Sequence, residues 1–561
     1  MVIKIKKLLI IPLILLLITS CGSEIIPAET TIETTAAETF SFVNIEAAEG
    51  EETFITLTET VKITKTGTYI VSGTLDDGQI IIDADKKAVV TLVLNGVSIT
   101  SSVSAPIYAV KAAETVIILA DGTENHVADT ASDRTSEPNA AIFAKNALTI
   151  TGGGSLYVTG NHNNGIGTKD ELIIAGGNIH VTAANDGIKS NNGASITITD
   201  GIFKINAAHD GIQSATSIVI SGGSFDITTG GGSIAAPTRQ ENFRGWQWDN
   251  LIPEEEEDTE SMKAIKIGTS LIIEGGDFVI DSEDDAINAS EDVTISGGSF
   301  IISAGDDAIH AGSALRIDGG TIDILTSYEG LEGTSVDITG GEVTLNAQDD
   351  GINAAGGSDG ESQGPMGFDR FAADSNAYIR ISGGSVVIDA NGDGIDSNGA
   401  IYIDGGDLFV SGPTDSMNSA LDSEAGIEIN GGNVIAAGSS GMLVFPANSS
   451  AQPSIVVYYT QNQSENTEIR LIDAVGNTVI SYTPAKMYQS AIISSDQLEI
   501  GAVYTLYSDS DELCEITLNS TVTTVTDDGS EVTANRNGGG FGGGRNDRDN
   551  NRPPMNQRPN T

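Results

Sequence analysis

The chain has 561 residues, with 27 Lys and Arg set against 78 Asp and Glu, a formal charge of −51. Phosphate backbones need Lys and Arg in number, so a nucleic-acid partner is excluded. Gly is abundant (66) and aromatics make up only 5%, which points to a core of small and β-branched side chains; two cysteines, Cys21 and Cys514, cannot staple a disulfide framework.

Residues 1–20 read as an address. Lys4, Lys6 and Lys7 precede an apolar run from Leu8 to Ile18, and Ile18-Thr19-Ser20-Cys21 resembles a bacterial lipobox, with cleavage before Cys21 and acylation of its thiol. The expectation is an extracytoplasmic protein, lipid-anchored to the bacterial cell membrane through Cys21, with a mature charge of −54 once those three lysines are gone. Residues 21–52, rich in Glu and Thr, read as a solvated tether. At the other end, residues 527–561 carry two Gly triplets and Pro553-Pro554, with five Arg against two Asp from Asn535 onward, and read as a disordered tail.

Between these ends a unit of about 22 residues recurs from 148 to 440. Two alternating apolar positions, a Gly pair and two more alternating apolar positions repeat, as in Leu271-Ile273-Gly275-Gly276-Phe278-Ile280 and Val293-Ile295-Gly297-Gly298-Phe300-Ile302. Alternation of period two means strand, and self-similarity at fixed spacing means a solenoid. The expected fold is all-β: a right-handed parallel β-helix with coils stacked ~4.8 Å apart and a small C-terminal β cap domain. Residues 53–147 read as irregular first coils and 441–526 as the cap, which would cover the last open strand edge. Two long steps place inserts at about 230–260 and 356–375.

A second signature runs in phase with the glycines: Asp186-Gly187-Ile188, Asp210-Gly211-Ile212, Asp285-Ala286-Ile287, Asp307-Ala308-Ile309, Asp350-Gly351-Ile352 and Asp393-Gly394-Ile395. Burying an unpaired carboxylate is costly, so the Asp of each box is expected to turn outward. Stacking then gathers Asp284, Asp285, Asn288, Asp306, Asp307, Glu329, Glu332, Asp349, Asp350 and Asn353 on one face, with Asp186, Asp210, Asp393 and Asp396 as weaker candidates. Neighbouring charges at ~4.8 Å repel by about 3–4 kcal/mol at an effective dielectric of 20. Several Ca²⁺ ions suit such irregular oxygen sets; ordinary solvated Asp-Gly turns are the alternative. Lys263 and Lys266 occupy box positions in the preceding coil, as cross-coil salt bridges or, in a lyase, as the base. Trp246, Trp248 and Phe243 in the first insert either stack on sugar rings or pin the loop.

The run from Ser261-Met262-Lys263-Ala264-Ile265-Lys266 through Tyr328-Glu329-Gly330-Leu331-Glu332-Gly333 to Asp349-Asp350-Gly351-Ile352-Asn353-Ala354 resembles the carbohydrate-binding β-helix family of cellulolytic clostridia. That family is related in fold to calcium-dependent pectate lyases. The resemblance implies bound calcium and affinity for plant polysaccharide, including acidic chains. The Asp349-Asp350-Gly351-Ile352 box also resembles the calcium box of one pectate lyase family, in which a downstream lysine is the base; residues 354–485 contain no lysine. Three readings follow: a monomeric surface lipoprotein that binds cellulose or pectin-like chains through calcium without cutting them, a calcium-dependent lyase using Lys263 or Lys266, and a structural or adhesive calcium solenoid.

Overall fold

The computed structural model describes residues 31–32, 42–45, 52–130, 137–191, 193–236, 261–354 and 376–532. These residues are all-β, their one helical element being the three-residue turn Ser233–Ala235. Cys21, the insert aromatics Phe243, Trp246 and Trp248, and nearly all of both inserts lie outside the described residues.

Parallel pairing between strands one repeat apart is the organising feature. One ladder passes from Val43 to Val61, Ile80, Ile107, Ile142, Ile166, Ile188 and Ile212. It continues through Ile265, Ile287, Ile309, Leu331, Ile352 and Ile395 to Leu421. The same parallel register thus reaches back through the segment that lacks Gly pairs. A second ladder carries Ile198, Ile220, Ile273, Ile295 and Ile317, and a third carries Phe203, Phe225, Phe278 and Phe300. From Ile80 onward the first ladder's apolar residues are at most 1% exposed, and with those of the other two they form one continuous core. Identical residues stack on identical residues because the pairing is in register. The four phenyl rings lie 4.6–4.7 Å apart at 2°, near the lower limit for aromatic pairs.

The Gly pair is the bend between the second and third ladders. Gly276, at φ +118°, shows why: a Cβ there would press on the Gly223 carbonyl of the turn before and on the Phe278 ring. Gly sustains that backbone at little steric cost. The outer strand edge at the C-terminal end, Gly426–Gly438, is taken by the antiparallel strand Tyr488–Ser494, which also pairs with Ser454–Gln463. Beside them a separate antiparallel sheet orders Thr478–Tyr482, Ile469–Asp473, Val503–Ser508 and Asp511–Thr517. Its core includes Cys514, a buried free thiol.

Candidate functional site

The residue after each box Ile or Leu stands on the outer side of the first ladder, because alternation points the flanking residues inward. In register the series reads Lys189, Gln213, Lys266, Asn288, His310, Glu332, Asn353, Asp396 and Asp422. The box acids form the adjoining column at the bend, so the sequence-predicted candidates do come together on one face.

The box Asp side chains do not point freely into solvent, which corrects the expectation. Asp186, Asp210, Asp285 and Asp307 are only 2–6% exposed. The cause is a ladder of side-chain rungs. Asn164 Oδ1 accepts the Asp186 amide at 3.1 Å, Asp186 Oδ1 the Asp210 amide at 3.3 Å, and Asp210 Oδ1 the Lys263 amide at 3.0 Å. Asp285 takes the Asp307 amide at 3.1 Å, Asp350 the Asp393 amide at 2.6 Å, and Asp393 the Ser419 amide. Each rung satisfies a backbone donor where the chain bends between strands, which makes burial of the carboxylate tolerable.

The second carboxylate oxygen divides the column into two regimes. In the N-terminal part it meets a lysine ammonium or the imidazole of His310. Lys189 Nζ lies 2.6 Å from Asp186 Oδ2, and Lys266 Nζ lies 3.7 Å from Asp210 Oδ2. Lys263 Nζ donates to Asp285 Oδ2 at 2.6 Å and to Asp284 Oδ1 at 3.1 Å, while Asn288 Nδ2 donates to Asp285 Oδ2 at 2.7 Å. His310 Nδ1 lies 2.6 Å from Glu332 Oε2 and 3.5 Å from Asp307 Oδ2. Burial pulls the Lys263 ammonium down, but the charges of Asp285 and Asp284 outweigh it and raise its pKa further above the ordinary lysine value. Burial drives the Asp307 carboxyl well up, whereas the His310 hydrogen bond holds Glu332 low against its own burial.

Farther along no such cation arrives. Among the described residues, no Lys, Arg or His pairs with Glu329, Asp349, Asp350, Asp393, Asp396 or Asp422. Burial, then the charge of Glu332, pushes Glu329 to about 8. Burial with Asp396 and Asp422 puts Asp393 at about 8, and burial with Asp422 and Glu424 puts Asp396 at about 7. Asp350 is raised well above the ordinary carboxylate range, by burial and then by Asp393. Oxygens of Asp350, Asp393 and Asp396 lie within 4.8 Å of one another, as do those of Asp284, Asp285 and Asp306, and the ligand atoms of Asp307, His310 and Glu332.

Two further features belong to the cation-poor cluster. Asn353 is 7% exposed; its Nδ2 donates to Glu329 Oε2 at 2.8 Å and its Oδ1 has no partner. Gly392 occupies the place one turn beyond Asp349, and a Cβ there would collide with carboxylate oxygens of both Asp349 and Asp350. Asp393 and Asp396, ranked low from sequence, therefore sit at the centre of the least neutralised group. Asp422 and Gly392 were missed; the Ile395-Asp396 and Leu421-Asp422 steps continue the outer series and could have revealed Asp422.

The sequence profile of the carbohydrate-binding domain-containing protein family matches residues 58–308 and 306–511. A carbohydrate-binding domain-containing protein of Acetivibrio thermocellus is 47% identical over 113 residues, covering 19% of this chain; the chain spans 40% of that relative's length. A solved polysaccharide lyase-like protein from C. thermocellum, as a gadolinium derivative, is 32% identical with a TM-score of 0.34, over 47% of this chain and 96% of that one. Two consecutive profile matches cover most of the molecule, and the chain belongs to the carbohydrate-binding domain-containing protein family.

Proposed function

We propose that this protein holds an acidic, plant-type polysaccharide through calcium ions on one face of a right-handed parallel β-helix and leaves the chain uncut. The observation that carries the reading is the convergence of Asp350, Asp393 and Asp396 without a cationic side chain among the described residues, beside the unpartnered Oδ1 of the buried Asn353. Hard oxygen donors in an irregular set suit Ca²⁺, which takes six to eight oxygens and accepts carboxylate, amide and sugar-derived ligands together. Asp349, Asp350, Asn353, Asp393 and Asp396 would hold the ion, and the space that Gly392 leaves for their carboxylates fits such a group. Open coordination positions would be filled by uronate carboxylates, bridging two partners of like charge. Membership of the carbohydrate-binding family supports the ligand class.

The helix reading rests on parallel ladders that advance one repeat of about 22 residues at a time, joined by crossovers that are right-handed in nearly all parallel sheets. Binding without cleavage is favoured by the state of the lysines. A general base must shed its proton near working pH, and Lys263 is held protonated between Asp284 and Asp285. In the same reading the protein is a monomer displayed at the cell surface through acylated Cys21; fatty-acid labelling that persists in Cys21→Ser would remove the anchor.

Retention on immobilised polygalacturonate tests the function. Wild-type protein should be retained with calcium and largely released by EGTA, and Asp393→Asn with Asp396→Asn should weaken the calcium-dependent part about tenfold or more. Calcium-dependent retention unchanged by the double substitution would overturn this site, and retention indifferent to calcium would overturn the bridging mechanism.

A further inference from the structure

Seven of the twelve lysines between residues 52 and 532 precede residue 170: Lys62, Lys65, Lys86, Lys87, Lys111, Lys145 and Lys169. The parallel ladder brings several of them together. Lys111 is the last residue of the strand Ile107–Lys111, Lys145 follows Ala140–Ala144 and Lys169 follows Asn164–Thr168, and these strands are successive members of the ladder that carries the acid series. Lys86 stands on the turn one step earlier, which is held by Asp85 Oδ1 accepting the Lys87 amide at 2.9 Å and by Ala84 donating to the Lys111 carbonyl at 2.8 Å.

These turns border an open surface cleft of about 480 Å³ lined by Lys86, Lys111, Lys145, Asn146 and Asp170 with Val110, Ala112 and Ala113. Lys86 and Lys111 have no ion pair among the described residues. Lys145 is 3.8 Å from Glu137, whose carboxylate is taken more closely by Lys169, and its ammonium sits 5.6 Å from the centre of the Tyr108 ring. Asn146 lines the same cleft. It is 5% exposed, and its Nδ2 donates to Thr115 Oγ1 at 3.1 Å and to the Ala147 carbonyl at 3.0 Å. A carbonyl only accepts, so the amide orientation is fixed, and Oδ1 is left buried without a protein donor.

We propose that this cleft is a second, metal-independent site for the uronate units of an acidic polysaccharide, with Lys86, Lys111 and Lys145 taking the carboxylate and Asp170 taking hydroxyl donors. The proposal rests on the acidic-polysaccharide part of the functional reading and needs no calcium. Phosphate would satisfy the ammonium groups as well, and a sugar acid differs from it in presenting several hydroxyl donors to Asp170. A sugar acid supplies a carboxylate and several hydroxyls on one ring. The cleft also lies where the body is least hostile to an anion, at the opposite end of the ladder from the cation-poor cluster.

Full-length protein is assayed on polygalacturonate in excess EGTA at low ionic strength. A calcium-independent, salt-sensitive component of retention is expected. Lys111→Gln with Lys145→Gln should reduce that component about tenfold or more, whereas Lys111→Arg with Lys145→Arg should keep most of it. Both pairs are on the surface and outside the acid cluster, so retention in calcium should persist in the Gln variant; circular dichroism checks that it is folded. Complete release of wild type by EGTA, retention unchanged by the Gln pair, equal retention on fully methyl-esterified pectin, or displacement by inorganic phosphate as readily as by galacturonate would each overturn the proposal. Loss of the calcium-dependent component alone would instead strike the bridging mechanism and leave this cleft standing.

Discussion

Removing calcium should destabilise the acid cluster, and more so as pH rises. Asp393 and Asp396 stand at about 8 and about 7 in the folded chain against an ordinary 3.8, and Glu329 at about 8 against 4.5. In the unfolded chain all three are ionised above about pH 5. From there to about pH 8 the folded state binds more protons than the unfolded one, so metal-free stability falls as pH rises through that window and levels off above it. At ~1.4 kcal/mol per tenfold change in proton affinity, each group alone would account for roughly 4–6 kcal/mol. Relaxation and salt reduce this, and ~3 kcal/mol for the cluster is a cautious net figure. Calcium bound there, as proposed, would replace those protons, so it should raise the midpoint of the transition containing the cluster by about 5–10 °C at pH 8.5 and by much less at pH 5. Calorimetry of EGTA-treated and calcium-loaded protein at pH 5, 6.5 and 8.5 measures this, and hydrogen exchange of the amides from 350 to 396 localises it. A metal-free midpoint that stays flat from pH 5 to 8.5, or a calcium increment that fails to grow with pH, would refute the reasoning.

The rung ladder predicts a graded response at Asp285. Asp285→Ala leaves the Asp307 amide and the Lys263 ammonium without their partner and should cost about 3–5 kcal/mol in denaturant unfolding; Asp285→Asn keeps an Oδ1 for the amide, as Asn164 does naturally, and should cost less than half as much. Gly392→Ala should lower calcium affinity about tenfold in titration calorimetry, because its Cβ would displace the Asp349 and Asp350 carboxylates, a shift of about 1.4 kcal/mol in binding. With calcium at alkaline pH, the wild-type protein should release no unsaturated uronate from polygalacturonate; absorbance from such product that disappears in Lys263→Gln would restore a lyase.

How much of this was legible follows from what each pattern encodes. The Ile, Phe and Gly positions repeat because stacking places each on its own copy, so the spacing alone announced all-β parallel pairing and its register. The acid series was legible for the same reason, and Asp285 and Asp307 do lie one above the other. The orientation of the box Asp was misjudged because the argument weighed the cost of a buried carboxylate without an available donor. That donor, the amide of the next turn, is a backbone group with no sequence signature. Asp393 and Asp396 were undervalued because a run of doubled acids was taken as the mark of a cation site. Charge density ranks the candidates by what surrounds them: Lys263 and His310 partner the doubled acids at 284–285 and 306–307, while among the described residues nothing comparable reaches Asp349, Asp350 or Asp393. The lysine cleft gave only a faint signal, three lysines closing successive strands, because coil lengths are irregular there and hide the period.

One outer series on a single ladder thus changes character along its length. It runs from Asn44 and Lys62 through Ile81, Tyr108, Phe143 and Gly167 to Lys189, Gln213, Lys266, Asn288 and His310, and ends with Glu332, Asn353, Asp396 and Asp422. A periodic backbone imposes no such gradient, since any residue of suitable size can stand at an outward position without disturbing the core. The hydrophobic and glycine positions are fixed by the stack; the outer positions are free to vary, and here the last four carry three carboxylates and no cation. Under the proposed function an acidic polymer would meet lysines at the strand ends of the N-terminal turns and, farther along, carboxylates that require added cations. Calcium supply would then alter how much of the face engages rather than whether it engages, which distinguishes a two-ended binder from a simple calcium switch.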